Sequence, residues 1–194
     1  VRMTWKGYEM NIIDTPGHVD FQYEVSRSLA SVEWALLIVD ATQWIEAQTL
    51  SNVYMAIDND LDIIPVINKI DLPAADFDKV AEEIVNLLGC DKSEIIWVSA
   101  KTWENVETIL DEVIDRISSP KVYSEKHPEN DELKALVFDS QYDPYRWVVS
   151  YIKVFQGEIK KWDTCHFLNT SKKIEALDVW HFAPTYTSDN KIWL

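Results

Sequence analysis

Glycine is scarce in this chain. Four glycines stand against nine tryptophans in 194 residues, an inversion of the usual ratio in folded domains. Cysteine is nearly absent too. Cys90 and Cys165 show no metal-ligand or redox spacing, which excludes a zinc site or a disulfide framework and reads as two reduced thiols. No apolar run approaches the ~20 residues of a membrane span, and no signal peptide opens the chain. Positive charge is short: the net charge is -15. Residues 1–118 hold 8 Lys and Arg against 22 Asp and Glu, whereas residues 119–194 hold 10 against 11. The acidic part would repel a phosphate backbone, which excludes a general nucleic-acid surface and a DNA partner. Also missing is any Gly-x-x-x-x-Gly-Lys-Ser/Thr stretch, the phosphate cradle of P-loop proteins. No internal repeat or low-complexity tract appears.

What is present is a 47% apolar composition, enough to build a core, and an ordered alternation of periods. Short runs rich in β-branched residues at 10–13, 35–39, 63–67 and 95–98 are apolar on both faces, as strands of a covered parallel sheet are. Between them, helical patterns run over 19–31, 46–59, 76–88 and 106–117. In the last, Val106, Ile109, Leu110, Val113, Ile114 and Ile117 form an i, i+3, i+4, i+7 stripe. Asp76 is placed to cap its helix. A βαβα series predicts a doubly wound α/β domain that binds ligands at the carboxyl ends of its strands. Residues 119–132 are polar, contain two prolines and lack periodicity, which reads as a linker. From residue 133 the pattern becomes short strands at 133–139, 147–155, 164–168 and 173–179 with turn signals between them. The expected organisation is α/β: a doubly wound domain over 1–118, which the three motifs described next make a partial P-loop-type GTPase domain, then a linker over 119–132 and a truncated antiparallel β-barrel over 133–194. Both ends read as falling inside a domain. A sheet edge left open in this way predicts poor solubility.

Three motifs fall at the predicted strand ends. Asp14-Thr15-Pro16-Gly17-His18 contains Asp-x-x-Gly, in which a carboxylate holds Mg²⁺, here through water, and the glycine lets its backbone N–H approach a γ-phosphate. Alone, this is a weak signal, since a strand-end Asp often only caps the next helix. His18 follows, where a side chain orients attacking water. An isolated loop histidine would be a surface residue. Asn68-Lys69-Ile70-Asp71 is more specific. The Asp71 carboxylate accepts from guanine N1–H and the 2-amino group, a pattern adenine lacks. Asn68 bonds the base edge and neighbouring loops, and the Lys69 stem lies over base and sugar. Ser99-Ala100-Lys101, one strand later, is the third element, and an ordinary polar turn does not predict it. The nucleotide-binding set is thus Asp14, Thr15, Pro16, Gly17, His18, Asn68, Lys69, Asp71, Ser99, Ala100 and Lys101, with GTP or GDP and Mg²⁺ as cofactors. Without a P-loop lysine and Ser/Thr, the chain alone is expected to bind GTP feebly and not turn it over. The remaining candidates are bland. His166 and His181 fall on barrel strands, and Lys160-Lys161 and Lys172-Lys173 read as hairpin surface.

The residues around the motifs resemble the translational GTPases, and within them the LepA (elongation factor 4) family. The resemblance is carried by Asp14-Thr15-Pro16-Gly17-His18-Val19-Asp20-Phe21, Tyr23-Glu24-Val25-Ser26-Arg27-Ser28-Leu29-Ala30, Glu46-Ala47-Gln48-Thr49-Leu50, the stretch from Ile64 to Pro73, and Phe138-Asp139-Ser140-Gln141-Tyr142-Asp143-Pro144-Tyr145-Arg146. It implies a ribosome-dependent GTPase acting in elongation or ribosome maturation, with a β-barrel second domain. His18 would be the catalytic residue, positioned by ribosomal RNA of the GTPase-activating centre. It further implies a monomeric cytoplasmic protein with peripheral association at the inner membrane. One departure is systematic: Trp34, Trp44, Trp103, Trp147, Trp162 and Trp180 stand where that family usually has glycine. Some bacteria read UGA as glycine, and translating such codons as tryptophan gives this pattern. The other reading is six genuine tryptophans, which puts the loops after Thr42 and Thr102 in question. Trp5, Trp97 and Trp193 look ordinary.

Two functional readings remain open at this stage: an inert piece of an active GTPase, or a binding module without a P-loop that docks on ribosomes or a partner. Another GTP-dependent translation factor fits the 142–146 stretch less well. Sequencing the source DNA past both ends separates the two readings. The enzyme reading expects an in-frame P-loop upstream, and the recoding reading expects UGA at the six tryptophans. TGG codons there would sink the recoding, and native termini without a P-loop would sink the enzyme.

Overall fold

The computed structural model describes residues 1–15, 19–120, 132–183, 185–188 and 191–193. Its contacts divide the chain into two units, Thr15–Ser119 and Val1–Asp14 with Pro120–Leu194.

In the first unit a three-stranded parallel sheet has the order β3 (Trp34–Asp40), β4 (Asp62–Asn68), β5 (Ile96–Trp97). The crossovers are α2 (Ala47–Asp58) and α3 (Phe77–Leu88). A 3₁₀ turn at Val19–Phe21 and α1 (Gln22–Leu29) precede the sheet, and α4 (Val106–Arg116) follows it. Strand β4 is central. Ile64, Pro65, Val66 and Ile67 are all buried, so both faces are covered, which is why the run is apolar without alternation. By contrast Ile38, on β3, is 56% exposed. Leu37, Val39, Ala41, Val53, Ile67, Val80, Ala81, Ile84 and Ile95 make one core cluster; Val25, Leu29 and Ala56 make another. The Asp76 side chain accepts from the Lys79 N–H at the start of α3, and Gly89 closes that helix at φ +69°, the left-handed C-terminal stop that favours glycine.

The second unit is antiparallel throughout. A two-residue loop, Lys6 (φ +48°) and Gly7 (φ +87°), joins β1 (Arg2–Trp5) to β2 (Tyr8–Asn11). Two positive φ values in sequence are the hairpin turn that matches strand twist. The run at 10–13 was expected as a parallel-sheet strand. Its first residues instead end an antiparallel hairpin, because the tight turn at 6–7 fixes the partner locally. The long hairpin of β6 (Lys134–Asp143) and β7 (Trp147–Gln156) is bulged at Lys134/Ala135 and Val137/Asp139. β8 (Glu158–Lys160) pairs with β13 (Lys191–Trp193), β9 (Thr164–Phe167) with β10 (Lys172–Glu175), and β11 (Trp180–Phe182) with β12 (Tyr186–Ser188). The expected barrel is thus present as antiparallel pairs, with no ladder linking them into one closed sheet among the described residues. The predicted linker falls almost wholly outside those residues.

Three of the six singled-out tryptophans stand in the left-handed region: Trp103 at φ +66°, Trp147 at +67° and Trp162 at +73°. Each occupies a turn that calls for glycine. Trp162 is third in a turn closed by the Asp163 N–H to the Lys160 carbonyl at 3.2 Å, the type II position needing φ > 0. Trp147 follows the Asp143–Arg146 turn, closed at 3.2 Å, and pairs with Asp143 across a three-residue loop. Hairpin loops of this kind are commonly completed by a left-handed residue. Trp103 sits in the loop closed by the Ser99–Glu104 bridge. The three residues are 66%, 70% and 58% exposed, respectively, so little packing offsets the left-handed penalty of roughly 1–2 kcal/mol. We expect Trp103→Gly, Trp147→Gly and Trp162→Gly each to raise stability by about 0.5–1 kcal/mol in urea unfolding, the gain being reduced by glycine's freedom in the unfolded chain. The alanine variants should show no gain, because their Cβ keeps the strain.

Candidate nucleotide-binding site

Parallel register sets this site. Asp40 on β3 lies opposite Asn68 on β4, and the strand ends are stitched together by backbone bonds. The Ala41 N–H donates to the Asn68 carbonyl at 2.9 Å, the Val98 N–H to the Ile67 carbonyl at 2.8 Å and the Ile70 N–H to the Val98 carbonyl at 3.3 Å. Asn68, Lys69 and Asp71 therefore emerge beside the loop that follows β5.

Side chains then lock the two loops together. Ser99, fully buried, donates its hydroxyl to Asp71 Oδ1 at 2.7 Å and accepts from the Thr102 N–H at 3.1 Å. Asn68 Oδ1 accepts from the Ala100 N–H at 3.0 Å and the Lys69 N–H at 2.8 Å. The 99–104 loop is closed by the Ser99 N–H to the Glu104 carbonyl at 3.0 Å, and Asn105 Nδ2 donates to the Trp97 carbonyl at 3.0 Å. Asn105 takes φ +57° at the start of α4, a conformation asparagine tolerates better than most residues.

Ser99 holds Asp71 by one oxygen. Its Oδ2 has no hydrogen-bond partner among the described residues, and Oδ1 keeps a second lone pair. A half-buried carboxylate held in this way suits a ligand edge with two adjacent N–H donors. The geometry therefore brings together Asn68, Lys69, Asp71, Ser99 and Ala100, while Lys101 stands exposed at the rim. Asp14 is exposed and Thr15 half-buried; Pro16, Gly17 and His18 lie outside the described residues. Among the described residues no group of three or more His, Cys, Asp or Glu is placed to hold a metal. Asp14 as a lone carboxylate fits Mg²⁺, which is commonly held by one carboxylate, waters and substrate phosphates. Both thiols are raised by burial, so Cys90 and Cys165 are not thiolate nucleophiles at neutral pH.

Sequence reasoning missed Asp40 and Thr42. Asp40 Oδ2 pairs with Lys69 Nζ at 2.5 Å; its Oδ1 accepts from the Thr42 N–H at 2.9 Å and the Thr42 hydroxyl at 2.7 Å. Burial pushes the Asp40 carboxyl up, but the bonds from Lys69 and Thr42 outweigh it and hold it below the usual aspartate range. Its place at the carboxyl end of β3 was the available signal, since ligands gather at those ends.

Known proteins agree with this architecture. The model of the elongation factor Tu GTP binding domain matches residues 1–119, and the chain belongs to that family. It is 53% identical over 180 residues to elongation factor 4 of Clostridioides difficile, covering 93% of this chain and 29% of that protein. To elongation factor 4 of Bacillus cytotoxicus it is 47% identical over 197 residues, covering 99% and 32%. The chain thus spans about a third of the length of these curated relatives. A crystal structure of the bacterial selenocysteine-specific elongation factor superposes with a TM-score of 0.73 at 20% identity, over 99% of this chain and 33% of that one, a likeness of fold. No helix of the described residues is long and apolar enough to cross a membrane.

The Asp40 shift fixes a pH dependence. A carboxyl whose folded pKa is depressed contributes stability above its unfolded value, about 3.9, and loses it as pH falls through the folded value. Asp40→Asn should therefore destabilise the chain near pH 7 by about 1 kcal/mol or less, given the half-exposed lysine. The gap to the parent should narrow as pH falls from neutral through the unfolded value toward the folded one. Urea unfolding across that pH range checks it.

Proposed function

We propose that this segment supplies the guanine-reading half of a ribosome-dependent GTPase of the elongation factor 4 type, which acts in translation elongation or ribosome maturation and hydrolyses GTP to GDP. The observation that carries the reading is the Ser99–Asp71 hydrogen bond beside Asn68, which sets a carboxylate for two N–H donors on one ligand edge. Guanine presents such an edge and adenine does not. The half-identity to elongation factor 4 sequences over most of the chain supports the same conclusion.

In this reading Asp71 accepts from the base, Asn68 bridges base and loops, the Lys69 stem covers the ring, and Ser99, Ala100 and Lys101 support the base from the neighbouring loop. Asp14 would be the carboxylate that holds Mg²⁺, which when bound would supply charge neutralisation for the transferred phosphoryl group. Thr15, Pro16 and Gly17 would line the phosphate end, and His18 would orient the attacking water when ribosomal RNA positions it. The protein would work as a monomer in the cytoplasm, with peripheral contact to the inner membrane.

The test is nucleotide turnover by the full chain its gene encodes, with and without ribosomes. Stimulated GTP hydrolysis is expected, and His18→Ala should remove the stimulation while leaving GDP binding in place. Asp71→Asn should shift preference from guanosine to xanthosine nucleotides, because the amide can donate to the 2-oxo group that replaces the 2-amino group. Guanine nucleotide binding without turnover on ribosomes would favour the binding-module reading.

A further inference from the structure

We propose that Asp40 is a positioning residue for guanine nucleotide binding, acting through Lys69. The proposal rests on the nucleotide reading above and deepens it.

Lys69 is the residue most in need of support in the loop. It stands at φ +68°, a region costly to a side chain with a Cβ. Its backbone is turned by the Asn68 side chain in front of it and by the Leu72 N–H, which donates to the Lys69 carbonyl at 3.1 Å. Its ammonium is tied back to Asp40 Oδ2. The two ends of the residue are thus fixed from two strands, which restrains the four-carbon stem between them. A flexible lysine stem otherwise samples many rotamers, and ordering it when ligand arrives weakens binding.

Asp40 is suited to this task. Its side chain is only 17% exposed, against 51% for Lys69. Its other oxygen is held by both the backbone and the hydroxyl of Thr42, so the carboxylate cannot turn away. Most exposed ion pairs contribute little because both partners must be ordered; here one partner is ordered before the pair forms. The charge of Lys69 is also neutralised locally. The lysine would therefore serve the nucleoside end of the ligand, and loss of Asp40 should weaken diphosphate and triphosphate alike.

The test is a double-mutant cycle of Asp40→Asn and Lys69→Met in the full chain its gene encodes, read as Kd for fluorescent GDP and for a non-hydrolysable GTP analogue. Each single change is expected to weaken both ligands by about tenfold, the scale of one hydrogen bond to a charged group. The double variant should bind no more weakly than Lys69→Met alone, because both changes remove one interaction. Thr42→Val should weaken binding in the same direction by less. A merely structural Asp40 would lower the melting temperature but leave the two losses in Kd additive. Additive losses, or Asp40→Asn within twofold of the parent, overturn the assignment while leaving the nucleotide reading intact. A folded parent chain that binds neither ligand overturns both.

Discussion

The register of β3 on β4 is the constraint on which the candidate site depends. In a parallel ladder the pairing of one strand fixes where the neighbouring strand ends. Here Trp34 pairs with Asp62 at one end and Asp40 with Asn68 at the other. Sliding β3 by one residue would turn Leu37 and Val39 from the core to the opposite face, and would carry Asp40 away from Lys69. Burial of those side chains and assembly of the loop cluster are therefore specified by one set of backbone hydrogen bonds. The core does not merely support the site; packing and site select the same register.

At the loops, rigidity comes from polar side chains rather than from burial. Ser99 is the exception that joins the two regimes: it is fully buried, yet both roles of its hydroxyl are used, one toward Asp71 and one from Thr102. A buried hydroxyl with both roles satisfied carries no desolvation penalty and keeps one orientation. The neighbouring turn shows the opposite condition. Trp103, four residues on, takes a glycine backbone with an exposed ring, and Trp147 and Trp162 repeat it in the other unit. Local preference and global fold disagree at these three places, as they do at Lys6, Lys69 and Ser171, whose φ is also positive, a conflict that natural sequences mostly avoid. The disagreement lies in residue identity, because turn geometry, register and flanking hydrogen bonds are otherwise consistent.

Much of the α/β unit was legible in the sequence. The stripe from Val106 to Ile117 became α4, ending at Arg116, and the helix placed at 46–59 became α2 with Glu46 and Asn59 as its flanking residues. Three of the four predicted strands became the sheet. The 10–13 run failed because a short apolar run does not say which partner it takes, and the Lys6-Gly7 turn settled that locally. Asp40 went unread because nothing in Asp-Ala-Thr distinguishes a strand-end cap from a partner of a residue 29 positions away. Its place at a strand end marked it, but only the register shows its pairing with Lys69. The short strands β12 and β13 were missed for a related reason: at three residues each, they are too short for alternation to be recognised.

Charge sets a final condition on the proposed ligand. The first 118 residues hold 22 acidic side chains against 8 basic ones, a field that opposes approach of a polyanion. Hydrogen bonds to a neutral base are short-ranged and insensitive to net charge. On the proposed reading, the Asp71, Asn68 and Ser99 cluster would discriminate bases even on an acidic surface. Phosphate affinity cannot arise in the same way. Among the described residues of the motif loops, Lys69 is already matched by Asp40 and Lys101 stands exposed. On the proposed reading, then, base selectivity resides in the strand-end cluster described here. Attraction for the phosphates would be a separate contribution, to which Asp14 would add by holding a divalent cation. Those two contributions act on different ends of one ligand, so they are separable: changes in the cluster should alter which base is bound, and changes at the phosphate end how tightly any nucleotide is held.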